Sequence, residues 1–139
     1  MAPSTINIAV VHAQADERHA LSDYIADEVG FRVIGDTVPG PALLDLLRAS
    51  VIHVLVLDLE SFSAGTTDFI SSARAASPAT GILLLVRGQP GEWLDELMLR
   101  GAAGYVQAER IHSDLVAALR TIGMGRRYLP RLDPEPEPA

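Results

Sequence analysis

The chain has 139 residues, of which 48% are hydrophobic but only 5% aromatic, with a formal net charge of −7 and no cysteine. That length suits one domain burying an aliphatic core of Val, Leu, Ile and Ala, as in proteins built on a parallel sheet. The acidic balance argues against unaided nucleic-acid binding, the absence of cysteine excludes disulfide and thiol chemistry, and no apolar run approaches the roughly 20 residues of a membrane span.

The opening "MAPSTINIAVV" lacks a charged segment followed by a long apolar stretch, so no signal peptide is read and a cytoplasmic protein is expected. "INIAVVH" (6–12) reads as a buried strand. Leu21, Tyr24, Ile25 and Val29 then fall on one helical stripe within residues 16–30, with Gly30 as the stop. "FRVIGDTV" (31–38) is strand-like. "PALLDLLRAS" (41–50) carries Pro41 in its first turn and Leu43, Leu44 and Leu47 on one face.

"IHVLVLD" (52–58) is a third strand, fully apolar until it ends at Asp58. A helix is predicted over 66–76, with Thr66 or Thr67 as cap, and a fourth strand over 81–86. Residues 91–101 form an amphipathic helix whose Trp93 either anchors a partner or covers the sheet. A short fifth strand (103–107) leads to a last helix over 113–123, capped by Ser113. "PRLDPEPEPA" (130–139) alternates proline and acid and reads as a linker or tail. The expected organisation is therefore a domain over 1–129 followed by that segment.

Five strands alternating with five helices imply right-handed crossovers and a parallel sheet covered on both faces. The expected class is α/β, flavodoxin-like, a doubly wound sheet in the order 2-1-3-4-5. Its site lies beyond the carboxyl ends of the strands, where the order reverses between the first and third. His12 and Asp58 end those two strands and should be neighbours there. His12, His19, His53 and His112 show no metal-ligand spacing. All eleven basic residues are arginine.

With "INIAVVHAQADERHAL", "RVIGDTVPGPALLDLL", "IHVLVLDL", "LRGAAGYVQAE" and "LRTIGMGRRYLP", residues 6–129 resemble the response-regulator receiver domain, in the branch followed by a LuxR-type helix-turn-helix. The resemblance implies a phosphoacceptor at Asp58. It also implies an acidic pair that holds Mg²⁺ after strand one, a hydroxyl ending strand four, a lysine after strand five, and a switching aromatic on strand five. The acidic pair falls on His12 and Ala13, the hydroxyl on Val86, the lysine on Ala108 and the aromatic on Tyr105; the proline usual four residues after the acceptor is Phe62. Asp16 and Glu17 follow a turn later.

Each lost electrostatic helper in such a site costs about 3–4 kcal/mol. The chain is thus similar to an atypical, degenerate receiver: Mg²⁺ binding is expected to be weak or absent, and Asp58 marks the family more securely than an activity. The expected role is non-enzymatic. It is a phosphorylation-independent regulatory domain of a transcription regulator, acting as a homodimer or through a protein partner or small ligand. DNA would be reached only through a domain outside this chain, and no membrane contact is expected. Ala13, Val86 and Ala108 make the pocket less charged, an apolar lining with Asp58 and His12 as its polar groups that fits a ligand site and equally a pocket simply filled in. Two alternatives stand beside this reading: a conventional receiver phosphorylated on Asp58 by a histidine kinase, and a haloacid-dehalogenase-like phosphatase suggested by the acids of "DLE" (58–60).

Overall fold

The computed structural model describes residues 4–61 and 66–129. Strand β1 (Ile6–Val11), helix α1 (Ala15–Ala26), strand β2 (Phe31–Thr37), helix α2 (Pro41–Ala49) and strand β3 (Val54–Asp58) form the first half. Helix α3 (Thr66–Ala76), strand β4 (Gly81–Val86), helix α4 (Glu92–Leu99), strand β5 (Gly104–Gln107) and helix α5 (Ile111–Gly123) complete the alternation. Single turns of 3₁₀ helix follow β3 (Leu59–Ser61) and β5 (Ala108–Arg110).

The five strands are hydrogen-bonded in the order β2-β1-β3-β4-β5, and every pairing is parallel. The two faces are built by the two-residue period of a strand. Leu55 and Leu57 of β3, with Leu84 of β4, pack toward α2, α3 and α4 through Leu47, Ile70 and Leu97. Val54 and Val56, with Leu83 and Leu85, pack toward α1 and α5 through Ile25 and Leu119. Buried on both faces, β3 and β4 need the continuous apolar runs seen in the sequence. At the edge of the sheet the chain leaving α5 returns to β5: Tyr128 N–H bonds Ala103 O at 2.9 Å. Gly104 is required there, since a Cβ would collide with the Tyr128 carbonyl.

Several boundaries differ from the sequence reading. Helix α1 ends at Ala26, and Val29 is 87% exposed rather than part of the buried stripe. The chain must turn early because Gly30, at φ +94°, delivers its carbonyl to Ile6 N–H and starts β2 at Phe31. Strand β3 begins at Val54, because His53 is occupied differently: its Nδ1 accepts the Asn7 N–H at 2.8 Å. Ser113 is no cap. Helix α5 grows directly out of the 3₁₀ turn before it, and the Ser113 hydroxyl donates to Arg110 O at 3.1 Å. Thr66 and Thr67 both lie within α3 rather than ahead of it. Phe62 and residues 130–139 lie outside the described residues.

Candidate functional site

The carboxyl ends of β1, β3 and β4 meet where the strand order reverses, and the side chains that follow them surround a cleft of about 300 Å³. Asp58 is at its base, 4% exposed. The 3₁₀ turn after β3 folds the chain back on itself, so that Ser61 Oγ–H donates to Asp58 Oδ2 at 2.7 Å. The same Ser61 oxygen accepts the Ala13 N–H at 2.8 Å, which ties the β1–α1 loop to the β3–α3 loop.

His12 is buried beside Asp58, with Nε2 3.4 Å from Asp58 Oδ2 and 2.8 Å from Glu17 Oε2. Its Nδ1 accepts the Gln14 N–H at 3.0 Å, so the proton of the neutral ring is on Nε2 and faces both carboxylates. Glu17 reaches this place from the first turn of α1, where a carboxylate also suits the positive end of the helix dipole. Arg87, the residue after β4, closes the mouth: Nη2 lies 3.2 Å from Glu17 Oε2 and Nε 2.9 Å from Glu60 Oε2. Three loops are thereby joined by one chain of polar contacts.

This arrangement overturns the expectation of an apolar pocket. His12, Ala13 and Asp58 come together as predicted, but Glu17, Glu60, Ser61 and Arg87 fill the remaining lining with polar and charged groups. Val86 instead lines a neighbouring, more apolar cleft of about 290 Å³ with Leu59, Trp93 and Leu97, and Ala108 lines neither. Of the missed residues, Arg87 carried one signal, its position immediately after the strand-four hydroxyl position. Ser61 carried another, its i+3 spacing from Asp58.

Beyond the cleft, the β4–α4 loop is pinned to the end of β5. Gly88 N–H donates to Glu109 Oε1 at 2.9 Å, and Gln107 Nε2 donates to Gly88 O at 3.0 Å. The Gly88 N–H bond, reinforced by Glu109's own N–H and by Arg87, holds the Glu109 carboxyl below its ordinary pKa. Tyr105 packs inward among the aliphatic residues beneath α4 and is 7% exposed. Burial, and secondarily the charge of Asp95, raises the pKa of its hydroxyl. Trp93 is half-exposed on α4.

No family model matches the chain. The response regulator UvrY of Escherichia coli O6:H1 is 23% identical over 124 residues, which cover 89% of this chain and 57% of that protein. The chain therefore spans little more than half the length of the curated relatives it matches. A two-component response regulator of the LuxR family from Aurantimonas sp. SI85-9A1 superposes with a TM-score of 0.81 at 25% identity, over 89% of both chains. A structure of two RcsB dimers bound to two parallel DNAs matches with a TM-score of 0.79 at 19% identity, over 91% of this chain and 64% of that one. Strand order and these similarities show the flavodoxin-like fold of receiver domains, and in sequence the chain is similar to response regulators.

Proposed function

We propose that this receiver domain regulates without being phosphorylated, as the N-terminal part of a transcription regulator that acts by association, foremost as a homodimer. The observation that carries the reading is the state of Asp58. Its carboxylate is engaged by Ser61 and faced by His12, and the only cation at the mouth, Arg87, is held by Glu17 and Glu60. Val86 offers no hydroxyl and Ala108 no amine, and the pinned Gly88 loop opposes the shift that would couple the site to Tyr105.

The residues do not suit Mg²⁺. A hard dication needs converging oxygens, whereas His12 presents an N–H, Ala13 a methyl group, and the two nearby glutamates are both engaged by the Arg87 guanidinium. Among the described residues no three His, Asp or Glu side chains are placed to hold a metal ion. Glu60, the second acid of "DLE", pairs with Arg87, which disfavours the phosphatase reading. DNA would be reached through a domain beyond this chain, as the DNA-bound dimers of RcsB suggest.

A second reading, Asp58 phosphorylated by a histidine kinase, is favoured by the retained aspartate and the similarity to UvrY. Incubation with a small phosphodonor and Mg²⁺, followed by intact-mass measurement, separates the two. The expected result is an unchanged mass and an unchanged sedimentation profile. A stoichiometric gain of one phosphoryl group, abolished in Asp58→Asn, overturns the proposal.

A further inference from the structure

Of the chain's eleven arginines, Arg18, Arg48, Arg87, Arg100, Arg110 and Arg120 each meet a carboxylate. Among the described residues, Arg32, Arg74, Arg126 and Arg127 have none within ion-pair reach. Three of these four, Arg74, Arg126 and Arg127, line the same cleft of about 350 Å³. It opens at the amino-terminal ends of β4 and β5, the end of the sheet opposite Asp58. Among the described residues no aspartate or glutamate lines it, and Met98, Ala102 and Ile122 give it an apolar part.

The arginines are placed, not scattered. Arg74 Nη1 donates to the Pro78 carbonyl at 3.0 Å. Its stem lies on Gly101, at φ +124°, where a Cβ would stand 3.1 Å from the Arg74 Cγ and Nε. Arg126 and Arg127 follow the turn that ends α5, and the Arg126 N–H is bonded to Thr121 O at 3.1 Å. Guanidinium forks match the oxygens of phosphate groups two at a time. Three positive charges among the lining of one cleft favour an anion bound within it. The chain carries a net charge of −7, yet this cleft's described lining residues include three arginines and no carboxylate.

We propose that this cleft binds a small oxyanion with at least two negative charges, of the phosphate-ester or pyrophosphate type. The apolar part takes the body of an ester, and the volume is within the range of about 300–1,000 Å³ of small-molecule sites. An extended acidic peptide would need a longer groove than this one.

The test is an amide and arginine Nε NMR titration of the full chain with pyrophosphate at constant ionic strength. Saturable one-to-one shifts confined to Arg74, Gly101 and residues 125–127 are expected, with pyrophosphate at least tenfold tighter than inorganic phosphate. Arg126→Gln with Arg127→Gln should weaken binding at least tenfold, while Arg32→Gln leaves it unchanged. All three substituted arginines are exposed, and matched thermal unfolding confirms the fold. Shifts that fail to saturate, that sodium chloride reproduces, or that centre on Arg87 overturn the proposal. So does a polyglutamate peptide that binds more tightly than pyrophosphate.

Discussion

The two ends of the sheet use the same side chain in opposite ways. At the carboxyl end, Arg87 is held between Glu17 and Glu60, and Asp58, Ser61 and His12 are engaged by partners from this chain. At the amino end, Arg74, Arg126 and Arg127 face one cleft with no carboxylate among its described lining residues. A guanidinium already shared by two carboxylates is not free for an added anion, whereas a rim of like positive charges gains from one. The end that the family resemblance marks as functional is thus the internally satisfied one.

The largest perturbation removes what separates the ends. Leu84 is fully buried in β4, and Leu84→Ala should lower unfolding stability by about 3 kcal/mol in urea titration. Both ends should then be lost in one transition. His12→Ala should come next, at about 1–3 kcal/mol, because the buried ring gives Gln14 N–H its acceptor and Glu17 a donor. A smaller loss would show that water replaces the imidazole readily.

Arg87→Met should lower stability by less than about 1 kcal/mol, since both its ion pairs are solvent-exposed, and salt should shrink the difference. Salt independence would place the effect in packing of the side-chain stem instead. The smallest effect belongs to Glu109. Its folded pKa is depressed, so its contribution is present above the ordinary carboxylate value near 4.5 and is lost as pH falls through the lower folded value. Glu109→Gln should therefore lower stability slightly at neutral pH, with the difference from the parent closing as the pH falls below the carboxylate range.

Much of the fold was legible along the chain. The apolar runs at 52–58 and 81–86 could only be strands buried on both faces, and α3 and β4 fall on their expected residues. Helix ends were less legible: Val29 continued the helical period, but the need to bring Phe31 alongside Ile6 ended α1 sooner. In the site, the meeting of His12 with Asp58 followed from strand order alone. The character of the pocket did not follow, because substitutions counted at Ala13, Val86 and Ala108 say nothing about which other side chains move in.

The sequence by itself determined the alternation of strands and helices, the parallel sheet and the isolated aspartate at the end of its third strand. Periodicity and burial are local properties, which the order of residues carries directly. Only the tertiary structure decided what became of that aspartate's neighbours. Arg87 and Glu17 are 70 residues apart, and their ion pair exists because β4 and β1 flank β3 in the sheet. The second arginine group was decided in the same way, since Arg74, Arg126 and Arg127 line one cleft only because α3, the start of β4 and the end of α5 converge.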